Sequence, residues 1–318
     1  MDWYWIVLIA AAALLLFGVL PFFILSLILY RVLLVRTDKK KWVRGMSMPD
    51  NEEYAKLFRD GQVWREAHLD RKKDVHIVNE GLNLYGEYFD FGADRAVIIL
   101  PGRMETCLYG CFFAEPYEKI GFNVLTIDPR AHGLSDGRYN SLGFTEYRDV
   151  IAWAKMLHDE MNVRTVWLHG VCIGSSAAVF TLTTPACPEY IIGMTGEGMY
   201  RDFLATFKTH LVHQGHRYFP IGALSVFWMK TIGKADVKHD GPVKRLPLLK
   251  KPILMLHSRE DIYSLPEIAE AMYETVTAEK ELVWFETGGH SMIRIHTAEN
   301  RVRYDESIKV FIEKHGNH

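Results

Sequence analysis

A thiol stands at the centre of a glycine-framed turn in the segment "HGVCIGSS". Gly170, Cys172 and Gly174 have the G-x-nucleophile-x-G spacing, in which a strand turns sharply into a helix and lifts one side chain above the sheet. Bulky residues at the two glycine positions would clash in such a turn. The helix N-terminus favours a thiolate at Cys172, and the backbone N–H of Ile173 would face a developing oxyanion. The segment therefore predicts a cysteine nucleophile.

A thiol nucleophile needs a base and a group that orients the base, and two later loops provide candidates. Asp261 follows the apolar run "PILMLHS", and His290 follows the run "ELVWFET" in the turn "GGHSM". Both side chains come just after a predicted strand, in the chain order nucleophile, acid, histidine. Glu260 is the nearest rival to Asp261 as the acid. The pattern predicts acyl transfer through a thioester, with an ester, lactone or thioester as substrate and peptide cleavage less favoured.

Strands alternate with helices from about residue 74 onward. Short buried runs such as "RAVIIL" and "NVLTID" are separated by helical periodicity, which predicts an α/β fold with a mostly parallel sheet covered on both faces. An opening hairpin that turns at Glu80 and Gly81 adds antiparallel strands. Residues from about 199 to 249 interrupt the alternation and predict a helical lid above the carboxyl ends of the strands. We therefore predict a catalytic domain over residues 74–318.

The first residues of the chain are long and apolar enough to cross a membrane. No residue from Trp3 to Tyr30 is charged, and about 20 apolar residues span a bilayer as a helix. We predict an anchor over residues 1–36 and a juxtamembrane stalk over residues 37–73. A cleaved signal peptide is the alternative. Six basic residues between positions 31 and 44 place the catalytic domain in the cytoplasm by the positive-inside rule, with the extracellular face as the alternative.

Over residues 75–314 the sequence resembles the α/β-hydrolase superfamily. It looks most like membrane-anchored bacterial hydrolases with a serine-aminopeptidase-like (S33-type) lid, through the segments "HGVCIGSS", "DPRAHGLSDG", "LHSREDIYSLP" and "GGHS". The resemblance implies a hydrolase whose triad is Cys172, Asp261 and His290. It also implies that the "DPRAHG" turn is structural, with a catalytic part for His132 as a lesser alternative.

Two positions depart from that family's pattern. The family usually has serine where this chain has Cys172, although dienelactone hydrolases of the same superfamily use cysteine there. The family's His-Gly after the third strand is replaced by Pro101-Gly102. By resemblance, the backbone N–H of Arg103 supplies the second oxyanion donor, with Met104 as the neighbouring candidate.

Composition and residue spacing argue against nucleic-acid and metal ligands. Lys and Arg number 37 against 39 Asp and Glu, with no basic stripe, so nucleic acid is not an expected partner. The other cysteines, Cys107, Cys111 and Cys187, lack zinc-ligand spacing and are interpreted as small buried side chains. Histidines at positions 210, 213 and 216 are interpreted as solvated or pocket-lining groups rather than a metal site.

We therefore expect no cofactor and no metal. The expected partners are a small-molecule or lipid-like acyl substrate and the bilayer, contacted through residues 3–30. An acyltransferase and a non-catalytic binding or scaffold protein with the same fold remain the alternative functions.

Overall fold

The computed structural model describes residues 2–36, 42, 44–46 and 48–316. Part of the predicted stalk, at residues 37–41, 43 and 47, lies outside the described residues. The described part of the predicted stalk contains a helix that begins at Glu52. The Asn51 side chain caps this helix by accepting a hydrogen bond from the Tyr54 N–H at 2.8 Å.

Eight strands form one sheet in the order β1-β2-β4-β3-β5-β6-β7-β8. The strands are β1 Lys72–Asn79, β2 Leu82–Phe89, β3 Arg95–Leu100, β4 Asn123–Ile127, β5 Thr165–Val171, β6 Ile191–Glu197, β7 Ile253–Ser258 and β8 Lys280–Phe285. β1 pairs antiparallel with β2, and β2 pairs antiparallel with β4. All other neighbours are parallel. The predicted hairpin and the mostly parallel sheet are both confirmed.

Helices precede the sheet and cover both of its faces. They are α1 Trp3–Ala13, α2 Leu20–Leu34, α3 Glu52–Ala67, α4 Cys107–Gly110, α5 Glu115–Lys119, α6 Glu146–Glu160, α7 Ile173–Thr183, α8 Phe203–His213, α9 Ala223–Thr231, α10 Pro242–Arg245, α11 Pro266–Thr275, α12 Ile293–His296 and α13 Ala298–His315. The central strands β3, β4 and β5 are almost wholly buried because each face of the sheet has its own apolar core. This burial explains why they read as continuous apolar runs in the sequence.

The N-terminal apolar segment forms one long helix from Trp3 to Leu34, with a π-helical turn over Leu14–Val19 between α1 and α2. The helix therefore extends four residues beyond the uncharged run that ends at Tyr30. Residues 3–25 include no buried side chain, whereas Tyr30 and Leu34 are fully buried against the rest of the chain. Only the last part of the helix thus belongs to the packed domain.

Helices α8, α9 and α10 lie between β6 and β7, in the region where the sequence predicts a lid. A third apolar cluster joins α8 and α9 to the end of α2. Trp228 of α9 donates its indole N–H to the Ser26 hydroxyl at 2.9 Å and contacts the Phe23 ring edge-on. The lid is therefore packed against the N-terminal helix as well as against the sheet.

Candidate active site

Cys172 lies in the turn between β5 and α7, in a backbone conformation that few residues adopt. Its φ is 51° and its ψ is −110°. Such strain is tolerated only where the surroundings enforce it. A Cβ on Gly174 would lie 1.9 Å from the Leu100 carbonyl oxygen, and one on Gly170 would lie 2.4 Å from the Ser175 nitrogen. The glycine spacing therefore reflects two close backbone approaches that hold the turn.

Asp261 and His290 lie at the same edge of the sheet, after β7 and β8. The distance from Asp261 Oδ2 to His290 Nδ1 is 2.8 Å, and the exposed fractions of the two side chains are 1% and 17%. The other carboxylate oxygen, Oδ1, accepts hydrogen bonds from the backbone N–H groups of Tyr263 and Ser264, each at 2.8 Å. We call these two residues the acid–histidine pair.

The electrostatics of this pair favour the charged form of both groups. Burial favours the neutral carboxylic acid, but the His290 charge and the hydrogen bonds to Asp261 hold the pKa of that carboxyl below its ordinary value. Burial likewise opposes an imidazolium. The Asp261 carboxylate, the charge of Cys172 and hydrogen bonds with both side chains nevertheless raise the pKa of His290 well above its ordinary value. The thiol and the imidazole line one pocket, and the carboxylate lies on the far side of the imidazole, 2.8 Å from Nδ1.

Glu260, the rival acid, points elsewhere. Its Oε2 accepts a hydrogen bond from the Gly288 N–H at 3.3 Å. It supports the turn that carries the histidine, and among the residues that the structure describes the imidazole is hydrogen-bonded to the Asp261 carboxylate instead.

His132 holds the loop between β3 and α4. The Met104 N–H donates to His132 Nε2 at 3.2 Å, and Nδ1 donates to the Arg130 carbonyl at 2.9 Å. Burial lowers the pKa of His132 to about 4, so the ring is neutral and both of its nitrogens are engaged. The Met104 N–H is therefore directed at His132, which favours Arg103 as the second oxyanion donor. Ile173, the other candidate, is the first residue of α7, where a backbone N–H has no partner within the helix.

The "DPRAHG" turn packs under this loop. Asp128 accepts hydrogen bonds from the Cys107 and Leu134 N–H groups, both at 2.8 Å. A Cβ on Gly133 would lie 2.1 Å from Asp128 Oδ2. Arg130 donates from Nε and Nη2 to the two carboxylate oxygens of Asp149, each at 2.6 Å. These contacts give the turn a structural role.

A cavity of about 680 Å³, counting the space open to solvent, lies above Cys172 and His290. We call it the catalytic pocket. Its walls come from the lid, from the Arg103 side chain and from two residues of α2, Leu29 and Leu33. The contribution of α2 was not predicted. The sequence signal for it is that four more apolar residues, 32–35, follow Arg31, so that the stretch is longer than a bilayer requires.

The lid histidines are not gathered around a common centre. His210 stacks on Tyr263 with ring centroids 3.9 Å apart, and Tyr263 meets His290 edge-on at 5.5 Å. His216 lines a separate groove beside α2. Within the described part of the chain, no three His, Cys, Asp or Glu side chains are arranged to hold a metal ion.

A buried carboxylate behind the site was also missed by sequence reasoning. Glu197, at the end of β6, accepts a hydrogen bond from the Tyr304 hydroxyl at 2.7 Å, and its carbonyl accepts from the Cys172 N–H at 2.9 Å. Burial raises the pKa of Glu197 to about 7. Its backbone carbonyl thus fixes the nucleophile turn from below.

No protein-family model matches the chain. An uncharacterized protein of Bacillus subtilis (strain 168), YqkD, is 25% identical over 231 residues, which cover 69% of this chain and 71% of the relative. The esterase Pf2001 of Pyrococcus furiosus matches 76% of this chain and 91% of its own, with a TM-score of 0.62 and 22% identity. Alpha/beta hydrolase domain-containing protein 10 from mouse matches 76% of this chain and 99% of its own, with a TM-score of 0.56 and 15% identity. The chain therefore has the α/β-hydrolase fold.

Proposed function

We propose that this chain is a membrane-anchored hydrolase that cleaves an ester, lactone or thioester bond with Cys172 as nucleophile, His290 as base and Asp261 as orienting acid. One observation supports this most strongly. A thiol raised on a strained, glycine-enforced turn lines the same pocket as an imidazole that a buried carboxylate holds at 2.8 Å. An inert buried cysteine requires none of these three features.

The proposed reaction proceeds in two steps through a thioester. The Cys172 sulfur attacks the carbonyl carbon, and the backbone N–H groups of Ile173 and Arg103 stabilise the oxyanion. The imidazolium of His290 donates its proton to the leaving alkoxide or thiolate as the carbon–oxygen or carbon–sulfur bond breaks. His290 then takes a proton from water, the resulting hydroxide attacks the thioester, and the carboxylic acid and the free thiolate are released. Asp261 keeps the imidazole in the required tautomer throughout.

We also propose that the N-terminal helix is a retained anchor and not a cleaved signal peptide. The residues at its end hold part of the domain together. Arg36 donates from Nη1 to the Ser135 carbonyl at 2.9 Å and from Nη2 to the Gly133 carbonyl at 2.7 Å. The Asn140 N–H donates to the Leu34 carbonyl at 2.8 Å. Removal of the helix would leave these groups and the apolar face of the lid exposed.

The proposed topology is a single membrane pass with the catalytic domain on the cytoplasmic side. Arg31, Arg36 and Arg44 follow the uncharged run that ends at Tyr30. The positive-inside rule therefore assigns the side that carries the domain to the cytoplasm.

Thiol labelling at neutral pH tests the proposed nucleophile. Iodoacetamide should modify Cys172 rapidly in the wild type and slowly in His290→Ala, because the imidazole stabilises the thiolate. Cys107 and Cys111 are internal controls. Burial raises the pKa of the Cys107 thiol well above its ordinary value and that of Cys111 to about 12, so both should stay unmodified.

Turnover is tested separately with p-nitrophenyl esters of different chain lengths. Wild type should release p-nitrophenol, Cys172→Ala should not, and Cys172→Ser should retain a reduced rate. If Cys172→Ala equals wild type, the thiol has no catalytic role. Rapid labelling that depends on His290, without turnover of any ester, thioester or lactone, would instead favour a binding protein that kept the fold.

A further inference from the structure

The end of the N-terminal helix forms one wall of the catalytic pocket. Leu29 and Leu33 of α2 line the same cavity as Cys172 and His290. The Arg103 side chain, next to the nucleophile, donates from Nη1 to the Leu33 carbonyl at 3.3 Å. The helix that we propose to be the anchor therefore contacts the site at which the acyl group would react.

The length of the helix places that wall at the surface of the membrane. The helix from Trp3 to Leu34 has 32 residues, and at 1.5 Å per residue it is about 48 Å long. The hydrocarbon core of a bilayer is about 30 Å thick and needs about 20 residues. Residues 3–25, none of them buried, match that thickness. The remaining residues, which include the pocket wall, emerge from the hydrocarbon where the lid packs on them.

A second apolar space lies between the pocket and the lipid-facing side of the helix. It lies between α2 and the lid, and we call it the α2–lid groove. Its lining includes Leu25, Ile28, Leu29, Val32, Phe219 and Ile221. Leu29 and Leu211 line both this groove and the catalytic pocket, so the two spaces are adjacent along one wall. The groove therefore separates the lipid-exposed surface from the cavity that holds the thiol by a single wall, formed by Leu29 and Leu211.

The exposure of the groove residues is suited to lipid and not to water. Phe219 is 77% exposed and Ile28 is 50% exposed. His216 and Arg217, both exposed, line the same groove, where phosphate headgroups would lie. A row of exposed apolar side chains with basic groups beside it matches the boundary between acyl chains and headgroups.

On the basis of the function proposed above, we propose that the substrate is a long-chain acyl ester of the membrane itself. Its acyl chain passes sideways from the bilayer into the α2–lid groove, and its ester carbonyl reaches Cys172. Burying a methylene group from water is worth about 0.8 kcal/mol, but a chain that moves from bilayer to apolar groove stays in apolar surroundings throughout. Such a substrate therefore reaches the thiol without exposing its chain to water, whereas a soluble substrate gains nothing from a groove that opens towards lipid.

Cross-linking in vesicles tests the groove without relying on turnover. The full-length Cys172→Ala protein is placed in phosphatidylcholine vesicles that contain a phosphatidylcholine with a diazirine on one acyl chain. After irradiation, mass spectrometry should find adducts at Leu211, which is 5% exposed and out of reach of bulk lipid. Ile28→Trp should fill the groove and reduce the Leu211 adduct at least tenfold. Ile9→Trp, the same change at a lipid-facing position of the same helix, should leave it unchanged.

Chain-length selectivity provides the second measurement, on the protein with its thiol intact. The ratio of kcat/KM for a long-chain ester in vesicles to that for p-nitrophenyl acetate should fall at least tenfold in Ile28→Trp and stay at the wild-type value in Ile9→Trp. Adducts restricted to residues 3–24, or an unchanged ratio in Ile28→Trp, would overturn the lipid route even if short esters are cleaved. Adducts at Leu211 in a protein that cleaves no ester would leave the groove in place and refute the hydrolase proposal instead.

Discussion

The substitution Asp261→Asn removes the charge opposite the imidazole while nearly preserving the side-chain volume. Asp261 Oδ2 lies 2.8 Å from His290 Nδ1, and the Asp261 side chain is 1% exposed. At an effective dielectric constant of about 20, two unit charges at that distance attract by about 6 kcal/mol before desolvation is counted. Removing one partner of a buried pair costs about 3–5 kcal/mol in proteins, so we take that range as the expected loss.

This loss falls on the imidazolium, which forms when His290 takes the thiol proton. Because each 1.4 kcal/mol corresponds to a factor of ten, kcat/KM for a p-nitrophenyl ester should fall by about 10²–10⁴. The alkylation of Cys172 by iodoacetamide at pH 6 should slow as well, since the thiolate loses its charged partner. Stopped-time labelling and steady-state hydrolysis measure the two effects independently.

Glu260→Gln is the matched control, because it removes the same charge one residue earlier in the same loop. The Glu260 carboxylate accepts from the Gly288 N–H at 3.3 Å. We expect this variant to keep a kcat/KM close to wild type. Equal losses in the two variants, or full activity in a folded Asp261→Asn protein, would refute the assignment of Asp261 as the orienting acid.

Three further predictions concern the surroundings of the site. Gly174→Ala should destabilise the domain by more than about 3 kcal/mol, which lowers Tm by roughly 6–12 °C, because the added Cβ would lie 1.9 Å from the Leu100 carbonyl oxygen. Gly45→Ala is the control and should leave Tm unchanged, since nothing lies within 4 Å of the added atom. The raised pKa of His290 adds stability that is fully present below about pH 6.5, and the lowered pKa of Asp261 adds stability that is present above about pH 4. The Tm difference between wild type and His290→Gln should therefore be largest between these two pH values and shrink as pH rises. His132→Phe should keep the ring volume but release the β3–α4 loop, lowering kcat by about 10²-fold. The unpaired Met104 N–H and Arg130 carbonyl should also lower the free energy of unfolding by about 1–3 kcal/mol. A kcat equal to wild type would show that this loop does not position the oxyanion donor.

Much of the fold could be predicted because its signals are local. The strands β3, β4 and β5 are apolar runs since they are buried on both faces, and their ends coincide with turn residues. The nucleophile turn is equally local, because Gly170 and Gly174 are required by backbone contacts within and beside the turn itself. Asp261 and His290 could be proposed as partners because parallel neighbouring strands end at the same edge of the sheet.

The choice between Arg103 and Met104 could not be made from sequence. The two residues are adjacent in one loop, and the pattern at Pro101 and Gly102 departs from the family's. The hydrogen bond from Met104 to His132 separates them, and it joins residues 28 positions apart. The same hydrogen bond gives the buried, neutral His132 ring a structural role, because it holds the loop that follows β3.

Sequence by itself determined the strand order along the chain, the strained thiol and the long apolar helix, since each depends on residue type and spacing within one segment. Tertiary structure decided which of those segments pack against one another around the site. Leu29 and Leu33 are ordinary apolar residues of a helix by pattern, and only packing against a lid some 200 residues later places them beside Cys172. Hydrophobic packing is non-directional, so the sequence does not show which apolar surfaces pack against each other. That is decided only when the whole chain folds.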